Sequence, residues 1–119
     1  MSRHDDRTSL RQMLDHAAEA VEMSRGRTPR ELDQDRQLNL ALVRLMEVVG
    51  EAAARVSPET RKEHPSIPWP RVVALRNRLI HGYDEVDFDV LWKILREDMP
   101  QLIVELQRIL DATRRTGPP

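Results

Sequence analysis

The sequence predicts an all-α fold, an up-and-down bundle of four to five main helices, on three observations. Ala, Leu, Arg, Glu and Asp dominate while aromatic residues make up only 3% and β-branched residues are sparse, a balance that favours helix over strand. Apolar residues recur at three-and-four spacing along most of the chain, the period of a helix with one buried face. The 119 residues fit a single domain at about 100–200 residues per domain, with the core expected over about residues 6–112 and short flexible termini.

The first helix is expected from about Asp6 to Ser24, with Leu10, Met13, Leu14, Ala17, Ala18 and Val21 on its apolar face. It stops in Ser24-Arg25-Gly26-Arg27. A new helix begins at Thr28-Pro29-Arg30-Glu31, which supplies a capping hydroxyl, a first-turn proline and a glutamate three residues on. After a bend near Asp33 to Arg36, the central helix carries Leu38, Leu40, Ala41, Leu42, Leu45, Met46, Val48, Val49, Ala52, Ala53 and Val56 on a wide apolar face. Within it Gly50 costs about 1 kcal/mol of helix propensity and is read as a packing position that admits another helix. Glu51 is either a solvated carboxylate or a polar group buried beside a site.

Ser57-Pro58-Glu59 caps another short turn, which ends before His64-Pro65-Ser66-Ile67-Pro68-Trp69-Pro70. Prolines at this density cannot continue a helix and are expected to cross the surface as an extended connection, with Trp69 docking it onto the bundle. Pro70 then opens a helix through Val72, Val73, Leu75, Leu79 and Ile80 that is expected to end near Gly82, a good residue to follow a helix. The last helix starts after the acidic stretch Asp84 to Asp89, with Asp87 as N-cap. Pro100 should kink or break it near Met99.

Composition excludes several functions. Without cysteine there is no disulfide framework, thiolate nucleophile or cysteine-bound zinc. A formal charge of -1 gives no global cationic field toward nucleic acid, so any polyanion site must be local. The start MSRHDDRTSL lacks the apolar stretch of a secretory signal, and no apolar run approaches the roughly 18 residues that span a membrane; a soluble, cytoplasmic protein with no membrane partner is expected. The four histidines show no HxxxH or HExxH spacing, so neither a metal site nor a cofactor is expected. His4, His16 and His64 read as solvated.

The chemistry concentrates in Arg71-Val-Val-Ala-Leu-Arg76-Asn77-Arg78-Leu-Ile-His81-Gly-Tyr83, where three arginines and a histidine occur without an acid, followed by an acid-rich stretch to Asp98. The histidine is expected at a helix C-terminus, where the dipole favours imidazolium. Imidazole moves protons near neutrality and guanidinium binds phosphate bidentately and stabilises charge building on it. Arg with His is therefore a minimal kit for metal-independent RNA cleavage by the 2′-hydroxyl, which DNA lacks. On an ideal helix Arg76 and His81 lie about 140° apart, whereas Asn77 and His81 share a face. Arg76 reaches round the helix, or the last turn is distorted, or a second subunit completes the site; a symmetric dimer is preferred because it doubles the local positive charge.

The stretch Leu45 to Pro100, with VVGEAA, SPETRKEHPSIPW, LRNRLIHGYDEVD and the later VLW, closely resembles the HepT-like branch of the HEPN families, and the likeness extends more loosely over Leu10 to Leu110. Its core, Arg-x4-His-x-Tyr, is met by Arg76, His81 and Tyr83. The resemblance implies a small all-α homodimer acting as the endoribonuclease toxin of a type VII-like toxin–antitoxin system. Its partner would be a minimal nucleotidyltransferase antitoxin that AMPylates the motif tyrosine. Carried over by position, Arg76 and His81 would be catalytic, Asn77 the polar residue that follows the motif arginine, and Tyr83 the AMP acceptor. Arg78 is extra to the motif and either binds RNA or is solvated. AMP on the phenol would add negative charge where an RNA phosphate belongs. The alternative is a noncatalytic helical module that binds a nucleotide or docks a nucleotidyltransferase.

Overall fold

The computed structural model describes residues 3–81 and 85–116, with side chains described for 5–80 and 85–112. Three long helices carry the bundle: α1 (Arg3–Ser24), α3 (Arg36–Ala54) and α8 (Met99–Thr116), with α1 packed against both of the others. The short helices α2 (Pro29–Gln34), α4 (Pro58–Glu63), α5 (Trp69–Val73), α6 (Leu75–Leu79) and α7 (Phe88–Lys93) close its sides. Met13, Leu32, Leu42, Met46, Leu75, Leu79, Leu91, Ile94 and Leu106 are fully buried, each removal from water contributing about 1.5–3 kcal/mol. Among the described residues no helix is long and apolar enough to cross a membrane.

The junctions follow the sequence signals. Thr28 Oγ1 accepts from Glu31 N at 3.2 Å and starts α2. Asp35, in extended backbone, accepts from Leu38 N at 3.1 Å and starts α3, which places the bend where the charges interrupt the apolar pattern. Asp87 Oδ1 accepts from Val90 N at 3.1 Å to start α7. Ser57 caps α4 and is drawn into a long-range knot. The buried Asp6 carboxylate accepts from Ser57 N at 2.9 Å, from Ser57 Oγ at 2.5 Å and from Thr60 Oγ1 at 2.6 Å. Burial alone would raise the Asp6 pKa, but these hydrogen bonds outweigh it and hold the carboxyl below its ordinary value of 3.8.

The proline-rich connection is turned rather than extended. Ile67 N donates to His64 O and Trp69 N to Ile67 O, because proline removes only its own donor and leaves these amides able to close the chain on itself. Trp69 is buried at the start of α5, donates through Nε1 to His64 O at 3.0 Å, and lies under the Arg61 guanidinium. That same guanidinium donates to the carbonyls of Ala53, Ala54 and Val56, satisfying the end of α3.

Two helices differ from expectation. The helix expected from Pro70 to near Gly82 is split at Ala74, where ψ is 9°, and ends at Leu79. Ile80 turns extended, and Ile80–His81 (β1) pairs antiparallel with Glu85–Val86 (β2), with His81 opposite Glu85. The physical reason is a competing partner: the Leu79 carbonyl accepts from Asp87 N at 2.8 Å, closing a hairpin instead of another helical turn. Gly82 lies outside the described residues. Pro100, in turn, does not break its helix. A π turn over Ile94–Asp98, with Met99 N donating to Ile94 O, joins α7 directly to α8. The wider turn takes up the distortion that a proline without an N–H imposes one turn ahead of itself.

Candidate active site

Two helices place the Arg-rich segment. On α3, Gly50 leaves room that a side chain would fill: a Cβ there would stand 3.2 Å from the Val72 carbonyl oxygen and 3.4 Å from that of Val73. The backbone of α5 therefore rests on α3 at this glycine, confirming a packing role. Glu51, its neighbour, is exposed and pairs with Arg44 at 3.4 Å, the first of its two expected roles.

The three arginines project to two flanks. Arg71 Nε and Arg78 Nη1 reach the same Asp98 Oδ2, at 3.2 Å and 2.9 Å; Asp98 belongs to the π turn and its side chain is 20% exposed. Arg76 lies on the other flank. Its side chain is 64% exposed, and its Nε stands 3.4 Å from Glu47 Oε2 on α3. Asn77, between the two, is exposed.

This geometry revises the charge pattern read from the sequence. The segment is free of acid along the chain but not in space, because Glu47 and Asp98 arrive from two other elements. Three guanidiniums face two carboxylates, so the excess of positive charge among these side chains is small. Neither acid was singled out from the sequence. Glu47 sits one turn before Gly50 on the same helix, which was the available signal; Asp98 was read only as part of a segregated acidic stretch.

His81 does not occupy a helix C-terminus. It follows the end of α6 in extended backbone, so the dipole reason for an imidazolium there does not apply, and neither does the angular separation of an ideal helix. Of the three ways of reconciling Arg76 with His81, the structure contains the changed last turn. The Tyr83 position lies outside the described residues.

A groove of about 730 Å³ runs along the Asp98 flank, between Ile67, Pro68, Arg71 and Arg78 on one side and Asp98 and Val104 on the other. Its floor is apolar. Arg76 is not part of it, so the groove and the motif arginine open on different sides of α6.

The all-α bundle carries the Arg-x4-His segment at the end of a short helix, and comparison with known proteins places the chain in a family of ribonucleases. The family model described as ribonuclease HepT-like matches residues 13–109. The protein named "Putative RNase MJ1380" from Methanocaldococcus jannaschii is 33% identical over 107 residues, covering 90% of this chain and 98% of the relative. The protein named "Probable ribonuclease HepT" from Thermococcus cleftensis is 36% identical over 75 residues, covering 63% and 68%. No solved structure matches. The chain belongs to the HepT-like ribonuclease family.

Proposed function

We propose that this protein is the endoribonuclease toxin of a toxin–antitoxin pair, cutting RNA in the cytoplasm without a metal ion. The observation that carries the reading is the state of Arg76: 64% exposed, beside α3, with its Nε 3.4 Å from Glu47. An exposed ion pair contributes about 0.2–1 kcal/mol, so a phosphate can engage this guanidinium at little cost. In the proposed reaction Arg76 binds the scissile phosphate. His81 takes the proton of the 2′-hydroxyl as its oxygen attacks phosphorus, the bond from phosphorus to the 5′-oxygen breaks, and that oxygen takes a proton from water. The products are a 2′,3′-cyclic phosphate and a 5′-hydroxyl. Asn77 offers an amide to the same strand, and Arg78 adds cationic charge on the flank where two guanidiniums share one carboxylate.

Two partners complete the proposal. A second copy of the chain would bring a second Arg-His pair to one cleft, and a minimal nucleotidyltransferase would silence the site by placing AMP on Tyr83. The balance of three guanidiniums against two carboxylates favours, as a second reading, a noncatalytic module that docks a nucleotidyltransferase.

Incubating the purified protein with RNA in EDTA separates the readings. The wild type is expected to cleave and leave cyclic-phosphate ends, while Arg76→Ala and His81→Ala variants of verified folding cleave at least about 10²-fold more slowly. Intact RNA in all three samples, with the transferase still bound, refutes catalysis and supports docking. With ATP and the cognate transferase, the chain should gain AMP mass that Tyr83→Phe abolishes; undiminished labelling of that variant removes the acceptor assignment.

A further inference from the structure

We infer that Glu47 is a positioning residue for the phosphate-binding arginine, holding the Nε edge of Arg76 so that its Nη1–Nη2 edge faces the RNA. The inference rests on the catalytic reading of Arg76 above and adds a residue to it. A guanidinium offers donors along more than one edge, and a two-pronged grip on phosphate requires one edge to be presented at a fixed angle. Arg76 stands on a helix of five residues, α6, whose last turn gives way to a strand. Such a short element holds a long side chain poorly by itself, and an unheld arginine loses rotamer freedom on every encounter with substrate.

Glu47 supplies that hold from the longest element nearby. Its carboxylate is less exposed than the arginine it meets, 22% against 64%, so the α3 side of the pair is the more firmly seated one. The register of the two segments fits this role. Gly50 meets the backbone at Val72 and Val73, and Glu47, one turn earlier on α3, meets Arg76, three residues later along α5 and α6. The two segments run antiparallel, and both contacts fall in step. Gly50 sets how close the Arg-bearing segment lies, and Glu47 sets where its arginine points. The carboxylate stands 3.4 Å from Nε and the arginine side chain is 64% exposed, an arrangement in which the Nη1–Nη2 edge is the one to offer a phosphate.

The roles of carboxylate and histidine differ. Glu47 does not touch substrate and exchanges no proton; it acts through Arg76. Two features of its contribution follow. Its loss should lower kcat more than it raises KM, because overall attraction for RNA survives while alignment does not. Its loss should also have no effect once Arg76 is absent.

The experiment is a cycle of Glu47→Ala, Arg76→Ala and the double variant, with Glu47→Gln as the conservative replacement, each checked by thermal unfolding. Expected is a fall of about two- to fivefold in kcat for Glu47→Ala, the range of an exposed ion pair, with KM nearly unchanged and partial rescue in Glu47→Gln. No further loss should appear in the double variant relative to Arg76→Ala. Faster cleavage by Glu47→Ala would make Glu47 a competitor of the phosphate and overturn the inference. So would an equal loss with and without Arg76, which is the mark of a structural role. The arginine Nε–Hε resonance that disappears in Arg76→Ala gives a readout independent of activity. It should shift and exchange faster in Glu47→Ala, and an unchanged signal there overturns the contact even if RNA is cleaved. A wild type with that signal but without RNA cleavage refutes the catalytic reading, and the positioning role with it, while leaving the contact established.

Discussion

The two flanks of α6 carry the same residue type to opposite ends. On one, Arg71 and Arg78 converge on Asp98, and the Arg78–Asp98 pair is half-buried, with side chains 24% and 20% exposed. On the other, Arg76 meets Glu47 at Nε and stays open to solvent. The two carboxylates are similarly buried, Asp98 at 20% and Glu47 at 22%, so the difference lies in how many cations each meets. Asp98, on the π turn, meets two, and its pairs tie α5 and α6 to the α7–α8 rod. Glu47, on α3, meets Arg76 and restrains it without covering it. Exposure thus separates Arg76 from Arg78, at 64% against 24%, whereas Arg71, at 57%, differs from Arg76 in sharing its carboxylate with another arginine, which no count of charges along the chain conveys.

Replacement of the arginines one at a time breaks the comparison most severely. Arg76→Ala should lower RNA cleavage by about 10²–10³-fold, the usual loss of a donor aimed at developing charge, with little change in melting temperature. Arg71→Ala should lower it by less than about threefold, because an exposed pair contributes at most about 1 kcal/mol. Equal losses in the two variants, measured on one RNA under one salt condition, would erase the distinction between the flanks.

The knot at Asp6 marks the far end of the scale, a carboxylate wholly given to structure. Asp6→Ala should cost about 2–3 kcal/mol in urea unfolding at neutral pH, because buried donors of Ser57 and Thr60 lose their acceptor. The pH dependence has a fixed sign. Since the folded carboxyl lies below 3.8, its extra stabilisation is complete well above that value and is lost as pH falls through the folded pKa. The stability gap between wild type and Asp6→Asn should therefore narrow on acidification below about pH 4; a gap that widens there contradicts the lowered pKa.

A smaller effect is expected on the half-buried flank. Asp98→Ala should destabilise the fold by about 1–2 kcal/mol, visible as a lower urea midpoint. Loss of stability in Glu47→Ala matching that in Asp98→Ala would show that the two carboxylates do the same work.

Helix starts were legible because each depends on a few adjacent residues: Thr28, Ser57 and Asp87 all accept the expected backbone hydrogen, and Asp35 caps α3 within the expected bend. The end of α6 was not, because it depends on a hydrogen bond between Leu79 and Asp87, eight positions apart across a hairpin. The effect of Pro100 was displaced for a similar reason, since a helix anchored by buried Ile94, Leu95 and Met99 widens before it breaks.

Sequence by itself determined the helical class, the caps, the small residue at position 50 and the chemical types in the Arg-x4-His segment, because periodicity, capping and side-chain chemistry are local properties. Only the tertiary structure decided which acids meet those arginines. Glu47 and Asp98 lie 29 and 20 residues from Arg76 and Arg78 along the chain, and Coulomb interactions depend on distance in space rather than along the chain. What looked like an uncompensated cationic segment is one whose charge is met on both sides, leaving a single well-exposed motif guanidinium held at its inner edge.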